Sequence, residues 1–165
     1  MLIAEHFKSG MRRLASGVSL ITTKDEKDGW HGMIATSVTS VSAEPPSLLV
    51  CINRSASCHD PLIASGVFCV NFLGQDNDAI AAVFSSSKLK ERRFQEGDWQ
   101  EISTGAPALA QSLASFDCRV KQVLQADSHT IFIGAVEAIE LWDAPLSPLV
   151  YMNGGYVRCI AASSL

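Results

Sequence analysis

No apolar run in this 165-residue chain approaches the ~18 residues of a membrane-spanning helix, so no membrane association is expected. The opening segment carries Glu5, Lys8, Arg12 and Arg13 and lacks the apolar core of a secretory signal. The five cysteines (Cys51, Cys58, Cys69, Cys118, Cys159) are odd in number and show no CxxC spacing, which argues against metal binding or redox work. Cys51, Cys69 and Cys118 lie in apolar, strand-like runs, where a thiol serves as a small hydrophobe. Free thiols and a cytoplasmic location are the expectation. No GxGxxG follows a strand, so the Rossmann dinucleotide fingerprint is missing. No repeat or low-complexity linker divides the chain, and one domain over residues 1–165 is the simplest organisation. A formal net charge of −4 leaves no electrostatic footprint for nucleic acid. The charged fraction of 18% is slightly low, as expected of a chain that buries surface in a homo-oligomer.

The elements present are mostly strands. Phe7, Met11, Leu14 and Ala15 recur at helical spacing, and Gly17 is expected to stop this opening helix. Val18 to Thr23 is a short β-branched strand, Lys24 to Gly29 a charged turn, and Trp30 to Ala35 the hairpin partner. Pro45-Pro46 excludes helix and leads into Ser47–Ile52, a continuous apolar run expected to be buried on both faces. Ser57, Asp60 and Pro61 are N-terminal signals for a short helix that Gly66 closes. Val67 to Leu73 is another buried strand, and Asp76 is placed to cap a helix containing Ala79 to Phe84. Ser85 to Trp99 is a polar, irregular excursion. Within it, Lys88 to Arg93 reads either as a solvated helix end or as an anion-contacting loop. Leu113–Leu124 and His129–Trp142 are long strands, with Gly134 marking a bulge or a close backbone approach. Leu149 to Tyr151 is a last short strand. Many strands, few helices and no regular β–α alternation predict a mainly β protein, a closed antiparallel barrel with peripheral helices.

Five segments carry candidate chemistry. Thr36-Ser37-Val38-Thr39-Ser40 crowds small side chains at a strand exit, where a planar heteroaromatic ring could approach the backbone and meet small donors. By composition alone a decorated strand and turn is the favoured reading. Asn53-Arg54-Ser55-Ala56-Ser57 places hydroxyls where a strand enters a helix, which suits a phosphate or simple helix capping. His129 precedes an apolar strand. Arg93-Phe94 ends the basic excursion, followed by Trp99, and Gly154-Gly155-Tyr156 follows the last strand.

This series, with this spacing from about Phe7 to Tyr156, resembles the flavin reductase-like family, whose fold is the antiparallel FMN-binding split β-barrel. The resemblance implies that Thr36, Ser37, Val38, Thr39 and Ser40 contact a flavin ring. It implies that Asn53, Ser55 and Ser57 contact the flavin phosphate, with Arg54 held more loosely. His129 takes the place of a histidine lining the nicotinamide side of the flavin; the family often has Gly-Asp-His where this chain has Asp127-Ser128-His129. Arg93 and Phe94 would border the flavin or the nicotinamide nucleotide, and Tyr156 would stand at the mouth of the site.

The implied activity is an NAD(P)H-dependent reduction of FMN or FAD, in which hydride passes from nicotinamide C4 to flavin N5. Such a reaction asks the protein to stack two rings rather than to supply a nucleophile. NADH and NADPH remain undistinguished, as do FMN and FAD. His129 is the single residue assigned a catalytic-site role, positioning the nicotinamide. Short family members are mostly reductase components of two-component monooxygenases, and Pro45 to Asn53 looks particularly like the 4-hydroxyphenylacetate 3-monooxygenase branch. The implied partners are a second copy in a homodimer and a separate flavin-dependent oxygenase. The alternatives are a split-barrel protein that retains its flavin and reduces a corrinoid or ferric chelate, and a non-enzymatic flavin- or haem-binding protein.

Overall fold

A computed structural model describes residues 2–27 and 29–160. Asp28, in the expected charged turn, lies outside the described residues. The chain opens with helix α1 (Ile3–Met11) and strands β1 (Ser16–Gly17), β2 (Ser19–Lys24), β3 (Trp30–Ala35), β4 (Val38–Ala43) and β5 (Pro46–Asn53). Helix α2 (His59–Ser65), β6 (Val67–Phe72) and helix α3 (Asp78–Ser85) follow. The second half contains β7 (Trp99–Glu101), β8 (Pro107–Leu109), β9 (Ala114–Ala126), β10 (His129–Leu141), β11 (Leu149–Met152) and β12 (Gly155–Arg158).

Seven strands form one antiparallel sheet in the order β3-β2-β6-β9-β10-β5-β4. Its two edge strands, β3 and β4, are consecutive in the chain, and Thr36-Ser37 turns the corner between them. Among the described residues no ladder joins β3 to β4, so the barrel is split rather than closed. Local patterns specify strands, but closure depends on where distant edges meet.

The interior is filled by Ile21, Val50, Ile52, Leu62, Phe68, Val70 and Phe132, all fully buried. Successive strand residues point to opposite faces. On β2, Ile21 enters this core while Leu20 joins a second one with Leu73, Phe84, Leu109 and Leu149. That strand is therefore covered on both sides. β5 differs from expectation. Leu48, Val50 and Ile52 point inward, while Leu49 and Cys51 are half-buried and Asn53 is exposed. Its outward side thus keeps partial exposure and ends at the exposed Asn53, one of the candidate site residues.

Gly134 fulfils both sequence readings. The β9–β10 register shifts between Ile133 and Gly134, and a Cβ built on Gly134 would lie 2.5 Å from Phe68 Cζ. Other expectations need correction. α1 stops at Met11, because Ser16 and Gly17 are drawn into pairing with Tyr151 and Val150. α2 starts at His59 with Cys58 at its N-cap, so Ser57 does not cap it. Asp76 lies in a single 3-10 turn, and Asn77 is the residue before α3. Asn153 and Gly154 adopt φ of 52° and 86° and form a tight hairpin into β12. That strand was not expected from the sequence.

Candidate functional site

The β3–β4 corner and the exit of β5 are held together by backbone and hydroxyl alike. Ser37 Oγ donates to the Cys51 carbonyl at 2.9 Å, and Cys51 N–H donates to the Ser37 carbonyl at 3.3 Å. Beyond this pair, Val38, Thr39 and Ser40 run opposite Val50, Leu49 and Leu48. Thr36, Ser37, Thr39 and Ser40 are exposed and Val38 is half-buried. The Thr36–Ser40 segment is thus a small-residue edge of the sheet beside β5, exposed enough for a planar ring to approach its backbone.

At the end of β5 the chain makes an Asx turn. Asn53 Oδ1 accepts from Ser55 N–H at 2.9 Å and from Ser55 Oγ at 2.8 Å. Asn53, Ser55 and Ser57 are all exposed. Because α2 begins only at His59, these donors come from the turn and not from a helix end.

His129 is the first residue of β10 and pairs directly with Asn53 across the ladder. Its ring is exposed, with Nδ1 2.9 Å from Ser128 Oγ. Arg54 N–H donates to the Ser128 carbonyl at 3.0 Å. The hydroxyl turn and the histidine, 76 positions apart in the chain, are therefore neighbours on one rim.

Arg93 lies at the other side of that turn. Its Nη1 donates to the Gly32 carbonyl at 3.1 Å and reaches Ser57 Oγ at 3.4 Å. Its Nη2 donates to the carbonyls of Phe84 and Ser86 at 3.1 and 3.3 Å. The guanidinium lies over the Phe84 ring, 5.6 Å from its centroid. It acts as a clamp between the excursion, edge strand β3 and the turn. Burial lowers its pKa without removing its charge at neutral pH. Phe94 adopts φ 64°, in the left-handed region, and packs against three aromatic neighbours. Its ring centroid lies 5.6 Å from Trp30, 4.9 Å from Phe84 and 4.8 Å from Trp99. Phe94 thus packs as one wall of an aromatic cluster behind Gly32.

Tyr156 belongs to the unexpected β11–β12 hairpin, edge-on to Tyr151 at 6.1 Å. It shares a cleft of about 730 Å³ with Thr36, Met33 and Phe84, and no residue of the Asn53–Ser57 turn lines that cleft. The structure therefore gathers Thr36-Ser37, Asn53–Ser57 and His129 around the exit of β5, while Val38 and Ser40, opposite the inward-pointing Val50 and Leu48, share the inner side of the sheet; Arg93 lies behind the turn and Tyr156 on the far side of Thr36. Two contributors escaped the sequence reading. The Asn153-Gly154 dipeptide between two tyrosines is a hairpin signal that would have exposed the Tyr151–Tyr156 pair. His59, beneath the hydroxyl turn, carries no such signal.

A family model described as a flavin reductase like domain matches residues 11–159. The chain belongs to this family. A relative from Methylorubrum populi (strain ATCC BAA-705 / NCIMB 13946 / BJ001), named FMN reductase (NADH) RutF, is 46% identical over 136 residues, covering 82% of this chain and 67% of its own. A second with that name, from Agrobacterium fabrum (strain C58 / ATCC 33970), is 38% identical and covers 91% of this chain and 85% of its own. Among solved structures, the styrene monooxygenase flavin reductase SMOB from Pseudomonas putida S12 superposes with a TM-score of 0.85 at 28% identity. It covers 96% of this chain and 99% of its own. The fold of this flavin reductase-like chain thus agrees with a solved member along nearly its whole length.

Proposed function

We propose that this protein is an NADH-dependent flavin reductase that takes FMN, or FAD, as an exchangeable substrate and delivers the reduced flavin to a separate oxygenase. The observation that carries the reading is the juxtaposition of Asn53 and His129 at the rim of an open, small-residue surface. The names of its relatives, FMN reductase (NADH) and styrene monooxygenase flavin reductase, favour FMN, NADH and an oxygenase partner. The hydride leaves C4 of NADH for N5 of the flavin, which takes its proton from solvent, yielding NAD⁺ and reduced flavin.

Each residue then has a physical task. Thr36 to Ser40 let the ring approach the backbone and offer small donors to its polar edge. Ser55, Ser57 and the Asn53 turn take the phosphate. His129 holds the nicotinamide over the ring at near-attack distance. Arg93 and Phe94 border the site by fixing Gly32 and Ser57 in place rather than by touching phosphate. Tyr156 stands at the mouth of the Thr36 cleft. A flavin seated against exposed residues can exchange, as delivery to a second protein requires.

A homodimer fits the same reading. α1 buries none of its residues, and Phe7 remains 67% exposed. Val123, Leu124, Ile139 and Leu141 also lie open. A second copy would cover such apolar surface. A cytoplasmic location is supported by five free thiols, and among the described residues no helix is long and apolar enough to cross a membrane.

The test is NADH oxidation by the purified protein, with and without added FMN or FAD. Turnover that saturates with added flavin is expected. A yellow protein that oxidises no NADH with any free flavin would overturn the reading in favour of a retained chromophore.

A further inference from the structure

We infer that His59 is a positioning residue that pins the hydroxyl turn after β5 to the strand bearing His129. His59 is 9% exposed and is the first residue of α2. Both ring nitrogens are engaged. Nδ1 lies 2.8 Å from Asp60 Oδ1, and Nε2 lies 2.9 Å from Thr130 Oγ1. The ring also meets Phe132 edge-on at 5.9 Å.

For the neutral ring, partner chemistry sets the tautomer. An ionised carboxylate only accepts, so Nδ1 of the neutral ring carries the hydrogen and donates it to Asp60. Nε2 is then an acceptor, and the Thr130 hydroxyl must be its donor. Asp60 is itself almost fully exposed, so its share is screened by water. The bond to Thr130, which is 2% exposed, is the sheltered one.

The position of that bond gives it a role. Thr130 follows His129 and opposes Ile52, one rung along from the His129–Asn53 pair. Residues 53 to 58 lead from that rung to α2. The His59–Thr130 bond therefore closes this segment back onto the ladder from which it departs. His59 also lines the cleft of about 510 Å³ that contains Asn53, Arg54, Ser55 and Ser128. A turn tied at both ends loses less conformational freedom when it grips a phosphate. An apolar residue of similar size would fill the space under the turn but would not tie it.

The inference rests on the reading of Asn53–Ser57 as the phosphate seat, so its test separates binding from turnover. FMN affinity is measured by quenching of flavin fluorescence, without NADH, for the full-length wild type and for His59→Leu, Thr130→Val, the double variant and His59→Gln. Thr130→Val keeps a β-branched side chain on a strand, so it covers the case in which His59→Leu fails to fold. Each apolar single variant is expected to raise the Kd for FMN about five- to tenfold, the range of one net hydrogen bond. The double variant should be no worse than His59→Leu alone, because both substitutions remove the same His59–Thr130 bond. His59→Gln, which returns a polar atom to Thr130, should recover to within about twofold. kcat at saturating FMN and NADH should stay near the wild-type value.

Lowered thermal stability with unchanged FMN affinity, or additive losses in the double variant, would overturn the inference. A wild type that binds FMN but oxidises no NADH would remove the proposed activity while leaving this cycle to be judged by its Kd values. A wild type that binds no flavin overturns both.

Discussion

His129 faces Asn53 directly across the β5–β10 ladder, and the next residue, Arg54, donates its N–H to the carbonyl of Ser128 at 3.0 Å. Two turns that are remote in sequence thereby clasp each other, one bearing hydroxyls and the other an imidazole. Under the proposed function this arrangement divides the labour between the two substrates. His129→Ala should raise the KM for NADH about five- to tenfold and leave the Kd for FMN nearly unchanged. Asn53→Ala, which removes the acceptor for Ser55, should do the reverse. Steady-state kinetics and fluorescence titration on the same preparations separate the two, and an unchanged KM for NADH in His129→Ala would remove that residue from the site.

Gly134 gives a prediction about stability alone. A methyl group there would lie 2.5 Å from Phe68 Cζ and 3.0 Å from Cys118 Cβ, in the buried core. Gly134→Ala should therefore cost about 1–3 kcal/mol through overpacking. The urea midpoint should fall, while FMN affinity of the folded fraction stays unchanged, because β10 meets the site at His129 and not at its bulge.

Much of this was legible from residue pattern. Trp30–Ala35 and the two long strands emerged because β-branched and apolar runs are bounded by turn residues. The hydroxyl segments 36–40 and 53–57 drew notice because small polar residues beside apolar strands are chemically conspicuous. What stayed hidden depends on long-range packing. The unbroken run Leu48 to Ile52 hides the alternation of β5: Leu49 and Cys51 on the outward side are as apolar as their neighbours, yet they stay half-buried while Leu48, Val50 and Ile52 are buried. Arg93 spends its guanidinium on three backbone carbonyls, which have no sequence signature. His59 looks like an ordinary polar residue at a helix start, and its partner Thr130 is 71 positions away.

The β2–β3 turn carries a pH dependence of definite sign. Asp25 bonds to His31 and accepts the backbone N–H groups of Gly29 and Lys27, and these hold its carboxyl down from the ordinary 3.8 to about 2. A depressed folded value means that the ionised form is favoured by folding. The contribution is therefore complete above the unfolded value of 3.8 and is lost as pH falls toward 2. The carboxyl carbon resonance of Asp25 should titrate near 2, and its midpoint should rise in His31→Ala. A titration near 3.8 in the folded protein would contradict this account.

Cysteine reactivity maps the site independently of turnover. Burial pushes the thiols of Cys58 and Cys118 up to about 12 and that of Cys69 well above its usual range. The thiolate is the reacting species, so these three should resist alkylation at about pH 8 until the protein unfolds. Cys159 is exposed and should react first. Cys51 is half-buried on the outward face of β5, two residues before Asn53 and bonded through its backbone to Ser37. It should react more slowly than Cys159, and a bound flavin would lie over it. Saturating FMN is therefore expected to slow maleimide labelling of Cys51 severalfold while leaving Cys159 unaffected, as read by peptide mass spectrometry. Equal protection of both would indicate a change in association state. Protection of neither, with FMN bound, would move the flavin off the β4–β5 surface.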